Sequence, residues 1–164
     1  MARVVVAGVI VTYALAVLQA TLGGRMAIHG VAPDLLFLWT ICVGLLSGGP
    51  AGALVGFGAG LMEGSLQHQW VGAYGISKTL SGLGAGLLAT KMFKENWLVP
   101  LVCAVLLTVV NEVVFLVFSG AGGWEQASRI IGVRVVYHGA LAPVAFVLVR
   151  RGRRALLGRP EEAA

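Results

Sequence analysis

The chain has 164 residues, 58% of them hydrophobic and only 12% charged, with 24 glycines and a mean hydropathy of +0.89. That balance excludes an ordinary soluble domain and points to an integral membrane protein with room for five or six spans of about 20 residues each and for no soluble domain beside them. Much of the net charge of +5 sits in Arg150, Arg151, Arg153, Arg154 and Arg159, and a polybasic segment directly after a span reads as an orientation signal touching anionic lipid rather than as a nucleic-acid surface.

Arg3 leads into an apolar run from Val4 to Leu22. The run is long enough to span, too long for the apolar core of a secretory signal, and followed by no clean small-x-small cleavage site, so it is expected to be an uncleaved first helix. A loop from Gly23 to Pro33 carries Arg25 and His29. Pro33-Asp34 then opens a second helix over 34–47, with proline and an acid where a helix start accepts them. This helix rises only about 21 Å against a hydrocarbon core of about 30 Å. Either the membrane thins there, or Gly48-Gly49-Pro50 forms a tight hairpin inside the bilayer, covered by protein, and the spans number five rather than six.

The third helix, 51–66, belongs to the run GGPAGALVGFGAGLMEG, whose glycines recur at 48, 52, 56, 60 and 64. On a 3.6-residue period they make one stripe without side chains. Such a helix is weak in water, where each interior glycine costs about 1 kcal/mol against alanine. In lipid it holds, and the stripe becomes a surface for close packing at Gly52, Gly56, Gly60 and Gly64, against a neighbouring helix or a partner's span. The polar knot Gln67-His68-Gln69-Trp70 follows at an interface, with Trp70 as an aromatic-belt residue. The fourth helix, 71–90, repeats small residues at Ala73, Ser77 and Ser81 and at Gly82 and Gly86, which makes it the expected partner of the third. It carries Lys78 near its middle.

Beyond the loop 91–96, Trp97 marks the entry of a fifth helix that runs to about Phe118 and contains Asn111-Glu112. A glycine-rich turn over 119–124 leads to a sixth helix over 127–149, with Arg134, His138 and a bending Pro143 inside it. The expected organisation is therefore one transmembrane domain, 1–149, and a basic cytoplasmic tail, 150–164, unstructured around Pro160-Glu161-Glu162. Arg3, Lys91, Lys94 and the tail arginines collect on one side, and Arg25 and Arg129 on the other. Positive loops face inward, so both termini are expected in the cytoplasm.

With that topology Glu112 and Arg134 both lie about 6 Å outward of the midplane at 1.5 Å per residue, and Glu63 and Lys78 fall in the same half. Intramembrane charges cost about 2.5 to 3.5 kcal/mol each even on a lenient scale, so they pair or line a wet cavity. The cluster Glu63, Lys78, Glu112 and Arg134 is expected to form two structural bridges, Glu112 with Arg134 and Glu63 with Lys78. The sharper alternative is an outward pocket for a ligand or a partner's helix, with Asn111, Tyr137 and His138 as its neutral lining. Other chemistry lacks its residues. His29, His68 and His138 are scattered without metal-ligand spacing, Cys42 and Cys103 read as small core residues, and there is no nucleophile elbow or phosphate-binding loop. No catalytic residue, cofactor or metal is expected.

The order of features from Gln19 to Gly86, a first helix ending LQATLGG, then Pro33-Asp34-Leu35-Leu36, then GLLSGGPAGALVGFGAGLMEG closing on Glu63 and a small-residue helix, resembles the rod shape-determining MreD family. Glu63 stands where that family leads one to expect aspartate, and Lys78 is an added charge. The resemblance implies family-motif roles for Pro33, Asp34 and Glu63 and a compact bundle of six transmembrane helices similar in fold to the substrate-binding S components of energy-coupling-factor vitamin transporters. It further implies a non-enzymatic scaffold of the cell-elongation complex in the bacterial inner membrane, with MreC as direct partner and MreB, RodA and a class B penicillin-binding protein as further partners. The alternative is a vitamin-binding S component, with Glu63, Lys78, Glu112 and Arg134 converging on a zwitterion.

Overall fold

A chain so rich in apolar and small residues satisfies its backbone polar groups internally as helix, and the computed structural model, which describes residues 2–28, 30–91, 98–120 and 123–157, contains no named strand among them. In order the elements are α1 (Ala2–Leu22), α2 (Leu35–Ser47), α3 (Gly49–Gln67), α4 (Val71–Lys91), α5 (Leu98–Ser119) and α6 (Trp124–Leu157). Three of them, α1, α5 and α6, are long and apolar enough to cross a membrane, which marks a helical membrane protein. His29, Lys94, Trp97, Arg159 and the segment Pro160-Glu161-Glu162, all singled out in the sequence, lie outside the described residues.

The short helix α2 is the centre of the bundle. Its 13 residues rise about 20 Å, and it buries most of its circumference, with Leu36, Phe37, Leu38, Thr40, Ile41 and Leu45 all buried and the face of Leu35, Trp39, Val43 and Leu46 half-buried. A helix apolar all round is a buried helix. Phe37, Ile41 and Leu45 share one core with Ala85 and Ala89 of α4, Cys103, Ala104 and Leu107 of α5, and Ala142 and Phe146 of α6. Cys42 joins that core, and both cysteines are free and buried. Gly48-Gly49-Pro50, one of the two alternatives offered for the short second helix, does make a tight turn between α2 and α3, on Gly48 at φ +93°, a conformation that side chains resist. Its N–H closes α2 on the Gly44 carbonyl at 2.9 Å, its carbonyl accepts Gly52 N–H at 3.0 Å, and Pro50 sits in the first turn of α3.

The glycine stripe meets α4, as expected, in an antiparallel seam where the two backbones touch. A Cβ at Gly52 would overlap the Gly82 carbonyl, one at Gly56 the Lys78 carbonyl, and one at Gly60 the Tyr74 carbonyl. At Gly64 it would stand 2.5 Å from Val71 Cα. All four glycines are buried. They pack helix on helix within the chain, which corrects the expectation that the same stripe also offers a face to a partner's span.

Helix α6 differs from its expected range. It begins at Trp124 and continues to Leu157, so no break separates the transmembrane domain from the first half of the basic tail. Arginine, alanine and leucine are good helix formers, and Arg153 donates to the Leu46 carbonyl at the end of α2, which ties the extension to the bundle. By contrast α1 is attached along one edge. Ala16 packs with Leu36 and Ala59, Trp39 Nε1 donates to Thr12 Oγ1 at 3.0 Å, and Val5, Val6, Val9, Ile10 and Tyr13 stay exposed.

Candidate functional site

The seam fixes where the charges can meet. Its register sets Gly56 against Lys78, so Glu63 lies seven residues, about 10 Å, further along α3. Side chains on a helix lean toward its N-terminus. In an antiparallel pair Lys78 therefore leans toward the end where α3 finishes, and Glu63 leans back to meet it. Lys78 Nζ lies 2.8 Å from Glu63 Oε2, and it also donates to Asp34 Oδ2. The lysine side chain is fully buried, with its ammonium 5.8 Å from the Phe37 ring centroid and 6.0 Å from that of Tyr74.

Asp34 is the N-cap of α2 as its Pro-Asp context suggests, since Oδ1 accepts Phe37 N–H at 2.8 Å. Two more orphan donors of that first turn, Leu35 N–H at 2.7 Å and Leu36 N–H at 3.2 Å, go to Gln19 Oε1 from the last turn of α1. Gln19 Nε2 donates to Glu63 Oε1 at 3.1 Å. One amide thus joins α1, the start of α2 and the end of α3. Asp34 N–H donates to His138 Nε2 at 3.1 Å, so that nitrogen carries no proton and the ring is neutral. Its Nδ1 then donates to Thr108 Oγ1 at 2.9 Å, and Thr108 donates to the Ala104 carbonyl at 2.6 Å.

A second bridge stands beside the first. Arg134 Nη1 donates to Glu112 Oε1 at 2.6 Å, and Asn111 Nδ2 donates to the same oxygen at 3.2 Å. Between the two bridges and the loop before α2 lies a pocket of about 210 Å³, lined by Gln19, Asp34, Glu63, Gln67, Tyr74 and Arg134 together with residues of the α1–α2 loop. Two buried atoms of these lining residues, Glu63 Oε2 and Arg134 Nε, make no hydrogen bond. Glu63 Oε2 is held instead by the Lys78 ammonium, as an ion pair at 2.8 Å.

Both expected bridges form, and four charges placed in one half of the bundle by counting residues share one end of it. The lining expected for a pocket is corrected. His138 is held in the core, Asn111 turns to Glu112, and Tyr137 donates to the Met26 carbonyl at 2.6 Å. Their places are taken by Gln19, Gln67 and Tyr74. Asp34 is the member that sequence reasoning missed, because its role as a cap already accounted for it. A usable signal was present, since a helix apolar on all faces has a buried start, and a carboxylate there needs a counter-charge. Pro33 is fully buried beside it. The chain matches no protein-family model, no curated protein and no solved structure.

Proposed function

We propose that the chain is a non-enzymatic scaffold of a bacterial cell-elongation complex, of the MreD kind, in the inner membrane. The observation that carries this reading is that the buried charges face one another, Lys78 between Asp34 and Glu63, and Arg134 on Glu112. Groups so paired hold helices together rather than wait for a reactant. The residues on which the resemblance rests, Gln19, Pro33, Asp34 and Glu63, come from three segments and gather at this one point, which supports their belonging to a single device.

In this reading all six helices lie in the membrane, with α2, α3 and α4 sheltered by the others, and both termini are cytoplasmic. The ionic end then faces outward. The direct partner is MreC. With the glycine seam closed, its single span meets the exposed apolar flank of α1, and MreB, RodA and the class B penicillin-binding protein associate through the assembled complex. A second reading, a solute-binding S component, is favoured by the polar pocket next to Arg134. Affinity purification from native membrane in mild detergent, with mass spectrometry of proteins and small molecules, separates the two. Recovery of MreC and the elongation synthase without a solute is expected, whereas a co-purifying vitamin or transporter ATPase subunits would replace the scaffold by the solute-binding reading.

A further inference from the structure

A second cavity, of about 360 Å³, opens on the side of α6 and shares no lining residue with the first. Gly132, Val133, Val136, Tyr137 and Ala140 line it, together with Ile28 of the α1–α2 loop. The groove has two causes. Gly132 leaves the helix bare, since a Cβ there meets nothing within 4 Å, and the Tyr137 hydroxyl, on the Met26 carbonyl at 2.6 Å, holds the loop and Ile28 against the helix. Every lining side chain except that tyrosine is apolar, and Val136 is 73% exposed. Helix α6 is one of the three that can cross a membrane, so the open side of the groove faces hydrocarbon.

The charges beyond the groove stand in a fixed order on the same face. At 3.6 residues per turn Arg129 lies within about 20° of Val136 and Ala140, and Glu125 within about 40° of Arg129. Both are exposed, and among the described residues neither belongs to an ion pair, although they are four apart and could pair with each other. Depth follows from the same residue count that puts Arg134 about 6 Å from the midplane. The groove then runs from about 3 Å on the far side of the midplane to about 9 Å on the near side, Arg129 stands at about 14 Å and Glu125 at about 20 Å. Half the hydrocarbon core is about 15 Å, and half the bilayer with its headgroups about 20–22 Å. One face of α6 thus presents an apolar slot, a cation at the edge of the core and a carboxylate in the headgroup layer, in that order.

We infer that this face binds one phospholipid whose headgroup carries a phosphate followed by a primary ammonium. The acyl chain fills the groove, the phosphate takes charge-assisted hydrogen bonds from the Arg129 guanidinium, and the ammonium donates to the Glu125 carboxylate one turn further out. A partner's apolar side chains could fill the groove, but they would leave the ordered pair of charges beyond it unanswered. The inference goes beyond the scaffold reading and stands without it.

The test is native mass spectrometry of the purified full chain in detergent, titrated with phosphatidylethanolamine or phosphatidylglycerol of the same acyl chains, with thermal unfolding recorded alongside. The parent should retain one phosphatidylethanolamine in preference to phosphatidylglycerol by roughly threefold, the size of one exposed charge pair, and should unfold at higher temperature with it. Glu125→Gln should abolish the preference. Gly132→Leu, which puts a side chain into the groove, should lose the retained lipid of either kind. Equal retention of the two lipids, or preference for phosphatidylglycerol, would mean that Arg129, with Arg25 on the loop that carries Ile28, reads phosphate or net charge alone, and would overturn the inference. So would a preference that survives Glu125→Gln, or binding unchanged in Gly132→Leu. Should a variant fail to fold, the lipid preference of the parent decides.

Discussion

Along most of its length the contact between α3 and α4 is made by the absence of side chains, and at one end by the longest and most polar ones. From Gly52 to Gly64 the backbones touch, and a single added methyl group would collide with a carbonyl or Cα on the facing helix. At the loop end Lys78 bridges to Glu63 and, across to α2, to Asp34. The two regions depend on each other. The seam sets the register that lets the charged side chains meet, and the charges draw α2 into what would otherwise be a two-helix contact. Close packing supplies position in a medium where burial of apolar surface drives little helix association, and the ion pairs supply identity, because a shifted register would strand a charge.

That difference can be broken from either side. The largest effect is expected at the polar end. Lys78→Met leaves Asp34 and Glu63 buried without their shared counter-charge, and should cost about 3–5 kcal/mol, read as lost yield of monodisperse protein and a large fall in unfolding temperature in detergent. The next largest is in the seam. Gly56→Ala forces a Cβ into the Lys78 carbonyl and should cost about 1–3 kcal/mol. The smallest is its control on the same helix, Gly58→Ala, where a Cβ meets nothing within 4 Å. That change should be neutral or stabilising by up to about 1 kcal/mol. Equal losses at the two glycines would mean that the seam is not a close contact.

The two regions were also unequally legible in the sequence. Glycines four residues apart from 48 to 64 and again at 82 and 86 announce a seam, because spacing along one helix decides which face is bare, and the partner follows from a matching stripe. The bridges were legible through depth, since residues at the same height on neighbouring helices can meet. What spacing could not convey is convergence from separate segments. Gln19 bonds to Leu35, Leu36 and Glu63 at once, and Asp34 both caps a helix and pairs with a lysine 44 residues away. Each makes ordinary local sense alone, so neither advertises a second role. The tail misled for the opposite reason. Charge reads as exposure, yet arginines extend a helix readily, and one of them finds a carbonyl at the end of α2.

The central claim is that the charges of this cluster exist for one another. It is tested most directly by removing them together, in Asp34→Asn, Glu63→Gln and Lys78→Met combined, and comparing its unfolding in detergent with that of Lys78→Met alone. Asparagine still caps a helix, and a buried ionic group replaced as a set by neutral side chains of similar size is commonly tolerated where a single removal is not. The account predicts that the triple variant recovers stability to within about 1–2 kcal/mol of the parent. A triple variant as damaged as the single one would contradict it, and would mean that these groups serve something other than each other.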